Sequence, residues 1–515
     1  MNLEGFEEHP IEEGSKRGWI LHPILFAIYP IARLYEVSQT MASATELVWP
    51  VAVSVGVTLL LWFISAKLLK SSARGAGVAS ALIVMFFAYD SVRVMLPEGT
   101  SVAVVTGTWL LVTIGLAFLA GYKWARRPTA FLNVTSVLLL ANLGWGIASD
   151  MHLGFTQVAK WSRYFGKTSA GRPDIYYIIL DGYGRSDALQ KYVGLDNSSF
   201  VANLKSQGFY IADKGHSNYC QTEQSLSSSL NMDFLPNVVG DISPDSTDRE
   251  PLDQLIDRNR VSLLLKEQGY RYVSITTGFP PIHPASADLH IPKSLKVSRF
   301  DSALLDASPI GKSSDVIDAL RENRRGLILS AINNLPKVAD DYDEPCFIFV
   351  HILAPHPPFV FAADGTPANQ PRMPFAYADG DDYVRLGGTP EAYQTGYVGQ
   401  AAYVSKLVSG AVEKILALPG PKPIVIVQGD HGSKSHFKQN NLLQTDPNEV
   451  FSNLNAYYVP KAVRDELYPS ITPVNTFRTV LRVMFKEKLP NLPDRSYYSK
   501  WDTPYQFTEV TSQLK

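Results

Sequence analysis

Cysteine is nearly absent from this sequence: 515 residues hold two, Cys220 and Cys346. That excludes a disulfide framework and leaves one bridge, Cys220 to Cys346, as the most the chain can form. Cys346 lies in the apolar run PCFIFVHIL and reads as a small buried hydrophobe. An excess of one charge is also missing. The net charge is −2, from 47 Lys and Arg against 49 Asp and Glu. Nothing here offers the basic surface a nucleic acid requires, and no nucleic-acid partner is expected. There is no glycine-lysine phosphate loop and no G-x-S-x-G elbow, and GYG at 182–184 is too short for a dinucleotide loop. Internal repeats and long low-complexity runs are absent as well.

What the chain does hold is unevenly spread. Hydrophobic residues make up 46% of it, and they crowd into the first third. Five apolar stretches lie at 19–35, 47–66, 76–96, 102–122 and 130–148, against the ~20 residues a helix needs to cross a bilayer. The first carries two His-Pro or Tyr-Pro pairs and no cleavage site, so it is not a secretory signal. Basic residues fall in alternate flanks: Lys16 and Arg17, then Lys67, Lys70 and Arg74, then Lys123, Arg126 and Arg127. The positive-inside rule puts those flanks and the N-terminus in the cytoplasm. Five spans then put the C-terminal part outside a bacterial-type inner membrane. Asp90 and Arg93 read as an i,i+3 ion pair near the outer end of the third stretch, with an intramembrane substrate contact as the alternative. The expected organisation is a transmembrane domain over 1–150, a juxtamembrane linker over 151–172 holding Lys160, Trp161, Arg163 and Tyr164, and a catalytic domain over 173–515.

From residue 173 short apolar runs alternate with helical stretches. Strands are expected at 175–180, 272–276, 347–352, 424–428 and 456–459. Helices are expected at 197–207, 223–232, 252–268, 315–334 and 390–418. Strands separated by helices imply an α/β domain, a mainly parallel sheet with helices on both faces. Ligands in such sheets bind at the carboxyl ends of strands. Asp181 follows the first strand in PDIYYIILDG, and Asp430 and His431 follow the fourth in KPIVIVQGDHG. His351 and His356 close the third, in FVHILAPHPPF, before a Pro- and Gly-rich loop over 355–390 that is expected to rim the site.

Carboxylate and neutral imidazole suit one divalent ion, Mn²⁺ or Zn²⁺, with Mg²⁺ also compatible. Thr222 opens the helical stretch TEQSLSSSLNM. A hydroxyl beside such an ion becomes a nucleophile, and a helix N-terminus favours the anion it attacks. Taken singly, each residue has a plain structural reading: a strand-end Asp as a turn residue, Thr222 as an N-cap, a strand-end His as a packed rim residue. Together they indicate a metal site built around Asp181, Thr222, Asp430 and His431, with Thr222 as nucleophile and His351, His356 and His436 as substrate-binding candidates. The glycine after Asp430-His431 reads as a position of close approach to the ion. Cys220 lies before the helix start, and the Ser225 hydroxyl is expected to bond back to the preceding turn.

At these residues the chain resembles the alkaline phosphatase and sulfatase superfamily. TEQSLSSSLNM, YVGQAAYVSKL and DHG carry the likeness. It is most similar to the membrane-embedded branch that holds lipoteichoic acid synthases and lipid A phosphoethanolamine transferases, and the resemblance spans nearly the whole chain. It implies an alkaline-phosphatase-like fold, a first-strand metal ligand at Asp181, a T-x-x-S nucleophile at Thr222 with Ser225, an Asp-His ligand pair at Asp430 and His431, and a substrate-phosphate histidine at His356. It also implies a phosphotransferase that moves a substituted phosphate, of phosphoglycerol or phosphoethanolamine type, from a membrane phospholipid to a glycan or lipid acceptor. The alternative is a membrane-tethered phosphodiesterase or sulfatase-like hydrolase with the same site. Three departures stand: Asp where those transferases have Glu, no cysteine-rich framework, and no formylglycine motif after Cys220.

Overall fold

The computed structural model describes residues 19–36, 47–97, 100–122, 128–158, 172–279, 282, 284–292, 299–339, 342–371, 373 and 375–515. They form two compact units, one reaching Val158 and one running on to Lys515.

All five apolar stretches of the first unit fold as helix. They give His22–Glu36, Val48–Leu69, Ser72–Phe87 with Tyr89–Val94, Val102–Gly121 and Pro128–Val158. Two of these, Val48–Leu69 and 103–121, are long and apolar enough to cross a membrane. The third stretch is broken at Ala88, and its second piece carries the Asp90–Arg93 pair at 3.3 Å. In the two long helices Trp49, Leu60, Phe63, Leu68, Leu111, Ile114, Phe118 and Leu119 are exposed. So many large apolar side chains turned outward are not those of a core helix in water; they fit a hydrocarbon surround. Several polar groups bond within the unit. Asn133 Oδ1 accepts from Leu21 N (3.0 Å) and His22 N (2.9 Å), which caps the first helix. The last helix continues to Val158, past the boundary expected at 150. Lys16, Arg17, Lys123, Arg126, Arg127, Lys160, Trp161, Arg163 and Tyr164 lie outside the described residues.

The second unit is built, among the described residues, on a seven-stranded sheet: β1 Ile175–Leu180, β2 Tyr210–Ile211, β3 Arg271–Thr276, β4 Leu289–Ile291, β5 Cys346–Ile352, β6 Ile424–Gln428 and β7 Asn455–Tyr458. Their order is β2-β7-β6-β1-β5-β3-β4. β1 pairs in parallel with both β5 and β6, and β3 with both β4 and β5. β7 alone runs against its neighbours β6 and β2. The sheet is therefore mixed, with one reversed strand near its edge. Alternation assigns the two faces. Tyr176, Ile178 and Leu180 of β1 pack with Ile348, Val350, Val425 and Val427 on one side, under residues of the helices Ser314–Asn334 and Pro390–Leu416. Ile175, Tyr177 and Ile179 pack with Phe347, Phe349, Ile424 and Ile426 on the other, under Thr222–Asn231, Arg260–Glu267 and Pro473–Phe485. Both faces are covered, so the central strands read as unbroken apolar runs; each buried Ile or Val contributes about 1.5–3 kcal/mol.

Cys220 and Cys346 are both free and buried, so the bridge does not form.

Candidate active site

β1 and β6 are neighbours and end together, which brings Asp181 beside Asp430 and His431. Ligand atoms of these three lie within 4.8 Å of one another, and all three residues are buried. Gly182, at φ +71°, turns the chain sharply after Asp181, and its N–H donates to Asp430 Oδ1 at 2.9 Å. A Cβ on Gly432 would lie 2.0 Å from the carbonyl oxygen of Glu449, so close backbone packing alone requires glycine there.

The helix Thr222–Asn231 enters over this cluster. Every one of its residues is buried, although the segment is polar. Its side chains bond to neighbouring segments: Ser225 Oγ to Asp430 O (2.6 Å), Ser227 Oγ to Leu252 O (2.9 Å), Asn231 Nδ2 to Leu255 O (2.8 Å) and Gln224 Nε2 to Pro504 O (2.6 Å). Ser225 thus reaches across to the ligand loop and not back to its own preceding turn. Glu223 pairs with Arg249, which stacks on Trp501. The N-cap is Gln221, with no side-chain cap on the first turn, so Thr222 is the first helical residue and not its cap. Thr222 Oγ1 lies 3.3 Å from His431 Nε2 and 3.5 Å from Asp181 Oδ2. His431 Nδ1 is 2.9 Å from the carbonyl of Gly432, which leaves Nε2 facing the cluster.

The residues fit a divalent cation. Asp181 Oδ1, Asp430 Oδ2 and His351 Nε2 are buried without a hydrogen-bond partner, an unfavourable state that a bound cation relieves. Burial and the neighbouring Asp430 push the Asp181 carboxyl up to about 8, so the site is short of positive charge. Burial also holds the His431 imidazole well below its ordinary range, in the neutral form that ligates.

His351, at the end of β5, has Nε2 3.0 Å from Asp181 Oδ2, out of line for a hydrogen bond. Burial lowers its pKa to about 4. Behind it the buried Arg324 donates to the carbonyls of Thr277 and Leu353. Next round the rim, His356 Nε2 lies 3.5 Å from Asp379 Oδ2, and Lys434 Nζ lies 3.7 Å from the same oxygen. Their charges bear on Asp181. Asp379 and Lys434 were not legible in advance. Asp379 is one of three acids in the run ADGDDY, and Lys434 stands three residues past His431 in SKSH; that proximity to a strand-end ligand was the only available signal.

His436 is not brought to the cluster. Its side chain is 61% exposed and its Nδ1 lies 2.9 Å from Glu449 Oε2. The expectation that five residues would return it to the pocket fails because Glu449 draws it the other way. That buried carboxylate also accepts from Ser433 Oγ, Ser435 N, Ser435 Oγ and His436 N at 2.6–3.0 Å. Cys220 is likewise apart, packed with Phe437, Val450 and Tyr498, and burial raises its thiol pKa.

No family model matches the chain, and no curated protein matches it. Solved structures do. The C-terminal periplasmic domain of EcEptC from Escherichia coli, in complex with Zn, is 11% identical, with 67% of this chain and 94% of that one covered, at a TM-score of 0.44. The integral membrane lipooligosaccharide phosphoethanolamine transferase A from Neisseria meningitidis is 11% identical, with 91% and 96% covered, at 0.39. A phosphonate monoester hydrolase of Agrobacterium radiobacter is 14% identical, with 64% and 80% covered, at 0.41. Likenesses this distant do not carry the reading of the site, which rests on its own geometry.

Proposed function

We propose that the chain is a metal-dependent phosphotransferase of the alkaline phosphatase and sulfatase superfamily, held in a membrane by its first unit and acting on a phospholipid. One observation carries this: the Thr222 hydroxyl stands at an uncapped helix N-terminus within 3.5 Å of Asp181 and His431, inside a buried set of three ligand atoms. Asp181, Asp430 and His431 would hold one divalent ion, Mn²⁺ or Zn²⁺, which supplies positive charge that lowers the pKa of the Thr222 hydroxyl and offsets the two carboxylates.

The chain's own groups then divide the work. Thr222 Oγ1 attacks phosphorus; the Oγ–P bond forms as the bond from phosphorus to the diacylglycerol oxygen breaks, and that oxygen leaves with the threonine proton. Free N–H groups of the helix's first turn face the phosphate oxygens. His356 and Lys434 bind the same oxygens from the rim. A hydroxyl of a glycan or lipid acceptor next takes the substituted phosphate, of phosphoglycerol or phosphoethanolamine type, and returns the proton to Thr222. Water in place of that acceptor gives the phosphodiesterase reading.

The lipid donor is favoured by the two long helices that expose apolar side chains. The charge pattern around the five stretches supports a cytoplasmic N-terminus, five crossings and an extracytoplasmic second unit. Incubation of the full chain in detergent with labelled phospholipids, with and without a glycan acceptor, tests the function. Label moving to the acceptor supports the transferase; release of soluble head-group phosphate alone supports the hydrolase; neither, with metal bound, refutes both.

A further inference from the structure

The site holds a buried carboxylate that no step above uses. Asp379 comes from the rim loop, and its orientation is fixed. Its Oδ1 accepts from Tyr393 OH at 2.6 Å and from Gly380 N at 2.9 Å. Its Oδ2 is thereby aimed between His356 Nε2, 3.5 Å away, and Lys434 Nζ, 3.7 Å away, too far for a hydrogen bond to the lysine. The Asp379, His356 and Lys434 side chains are all 6% exposed or less. Asp379 Oδ2 is the one carboxylate oxygen within 4 Å of Lys434 Nζ among the described residues. Burial works against ionisation of Asp379, but His356, Lys434 and the Tyr393 hydroxyl outweigh it and hold its carboxyl below the usual range.

We propose that Asp379 selects substrate by charge: it cancels the Lys434 ammonium in the phosphate-binding rim, so that the site accepts a singly charged phosphodiester and disfavours a doubly charged phosphomonoester. This rests on the phosphate-ester reading of the site. A phosphate held between Thr222 and Lys434 lies next to Asp379, in a buried pocket where a unit charge is weakly screened. Asp379, ionised beside His356 and Lys434, removes one unit of positive charge from the rim. Without it, the rim is more cationic by one and favours the second negative charge of a monoester. In the two-step transfer every phosphate species, donor, threonine adduct and product, is a diester with one charge. A doubly charged monoester is then no species of the transfer but a competitor for its site, and Asp379 keeps it out.

The test is binding, independent of turnover. Zinc-loaded full chain in detergent is titrated at pH 8.5 with inorganic phosphate, doubly charged, and with dimethyl phosphate, singly charged, followed by phosphorus NMR. Asp379→Asn is expected to raise affinity for phosphate relative to dimethyl phosphate by roughly tenfold or more. Lys434→Met is expected to move the same ratio the other way. A ratio within twofold of wild type in a folded, zinc-loaded Asp379→Asn protein overturns the proposal and leaves the reading of the site intact. If Asp379→Asn does not fold, Lys434→Met decides: equal loss for both anions overturns the proposal. Failure of the wild-type protein to bind either anion overturns the phosphate-site reading itself.

Discussion

Ser225 Oγ donates to the carbonyl oxygen of Asp430 at 2.6 Å. One turn into the helix that Thr222, the proposed nucleophile, begins, this bond ties that helix to the loop that carries two of the three proposed ligands. The position of Thr222 and the geometry of the ligand set are therefore coupled. Ser225→Ala is expected to lower kcat with little change in substrate KM and to leave both orphaned carboxylate oxygens in place. A loss of about 1 kcal/mol in stability should accompany it. Steady-state kinetics and a urea titration on one preparation check this.

Metal binding should fail when two ligands go. Asp430→Asn with His431→Ala leaves Asp181 alone, and elemental analysis of the purified protein is expected to find the divalent ion lost. Full occupancy in the double variant would refute the assigned ligand set.

Thr222→Ala is expected to reduce turnover by at least about a thousandfold while the ion stays bound, because all three buried ligand atoms remain. Cys220→Ala should keep most activity, since Cys220 packs in a separate apolar cluster. Mass spectrometry of protein trapped with substrate should place the phosphate-containing adduct on Thr222. An adduct on Ser225 or Cys220 contradicts the mechanism.

Glu449 holds the loop that carries Lys434 through five contacts, two of them to His436. Glu449→Ala should cost about 3 kcal/mol or more, because it strands several buried donors. The same carboxylate raises the His436 pKa above 6.5. A raised folded-state pKa gives stability that is fully present below pH 6.5 and lost as pH rises through the folded value. His436→Ala should therefore lower the unfolding midpoint more at pH 5.5 than at pH 9. The effect is small, because the side chain is 61% exposed. Equal midpoint shifts at both pH values would show that the pair contributes nothing.

The proposed topology is testable without removing native thiols, since Cys220 and Cys346 are both buried. In intact cells an impermeant maleimide should label Lys461→Cys, at an exposed site, and should label Lys70→Cys only after permeabilisation. The opposite pattern means the orientation is inverted.

The sequence was most legible where one physical cause dominated. Strands 175–180 and 424–428 were read to the residue, because both sides of a central strand are buried and the apolar run has no gaps. β2 and β4, of two and three residues, were missed; edge strands that short carry no pattern. The helix expected over 252–268 is two helices, Glu250–Asp257 and Arg260–Glu267, because Asn259 accepts from Ser262 N at 2.8 Å and starts a new one. The helix Pro473–Phe485, whose first nine residues are all buried, was not read at all. In the site, Asp181, Asp430 and His431 stood at strand ends, where topology alone converges them. Asp379 and Lys434 sit in loops, and which acid of 379–382 turns inward is decided by Tyr393, more than ten residues away. His436 was misplaced for the same reason: its partner Glu449 is remote in sequence.

The complete burial of Thr222–Asn231 has a stereochemical consequence. With Gln224, Ser225, Ser227 and Asn231 engaged by neighbouring segments, the helix is a fixed post, and the proposed nucleophile on it cannot travel between two partners. Under the two-step reading, the departing diacylglycerol and the arriving acceptor must then use one and the same approach, opposite Thr222. Two successive in-line displacements from opposite sides each invert the phosphorus. Their sum is retention, and a chiral thiophosphate donor would carry its handedness unchanged into the product.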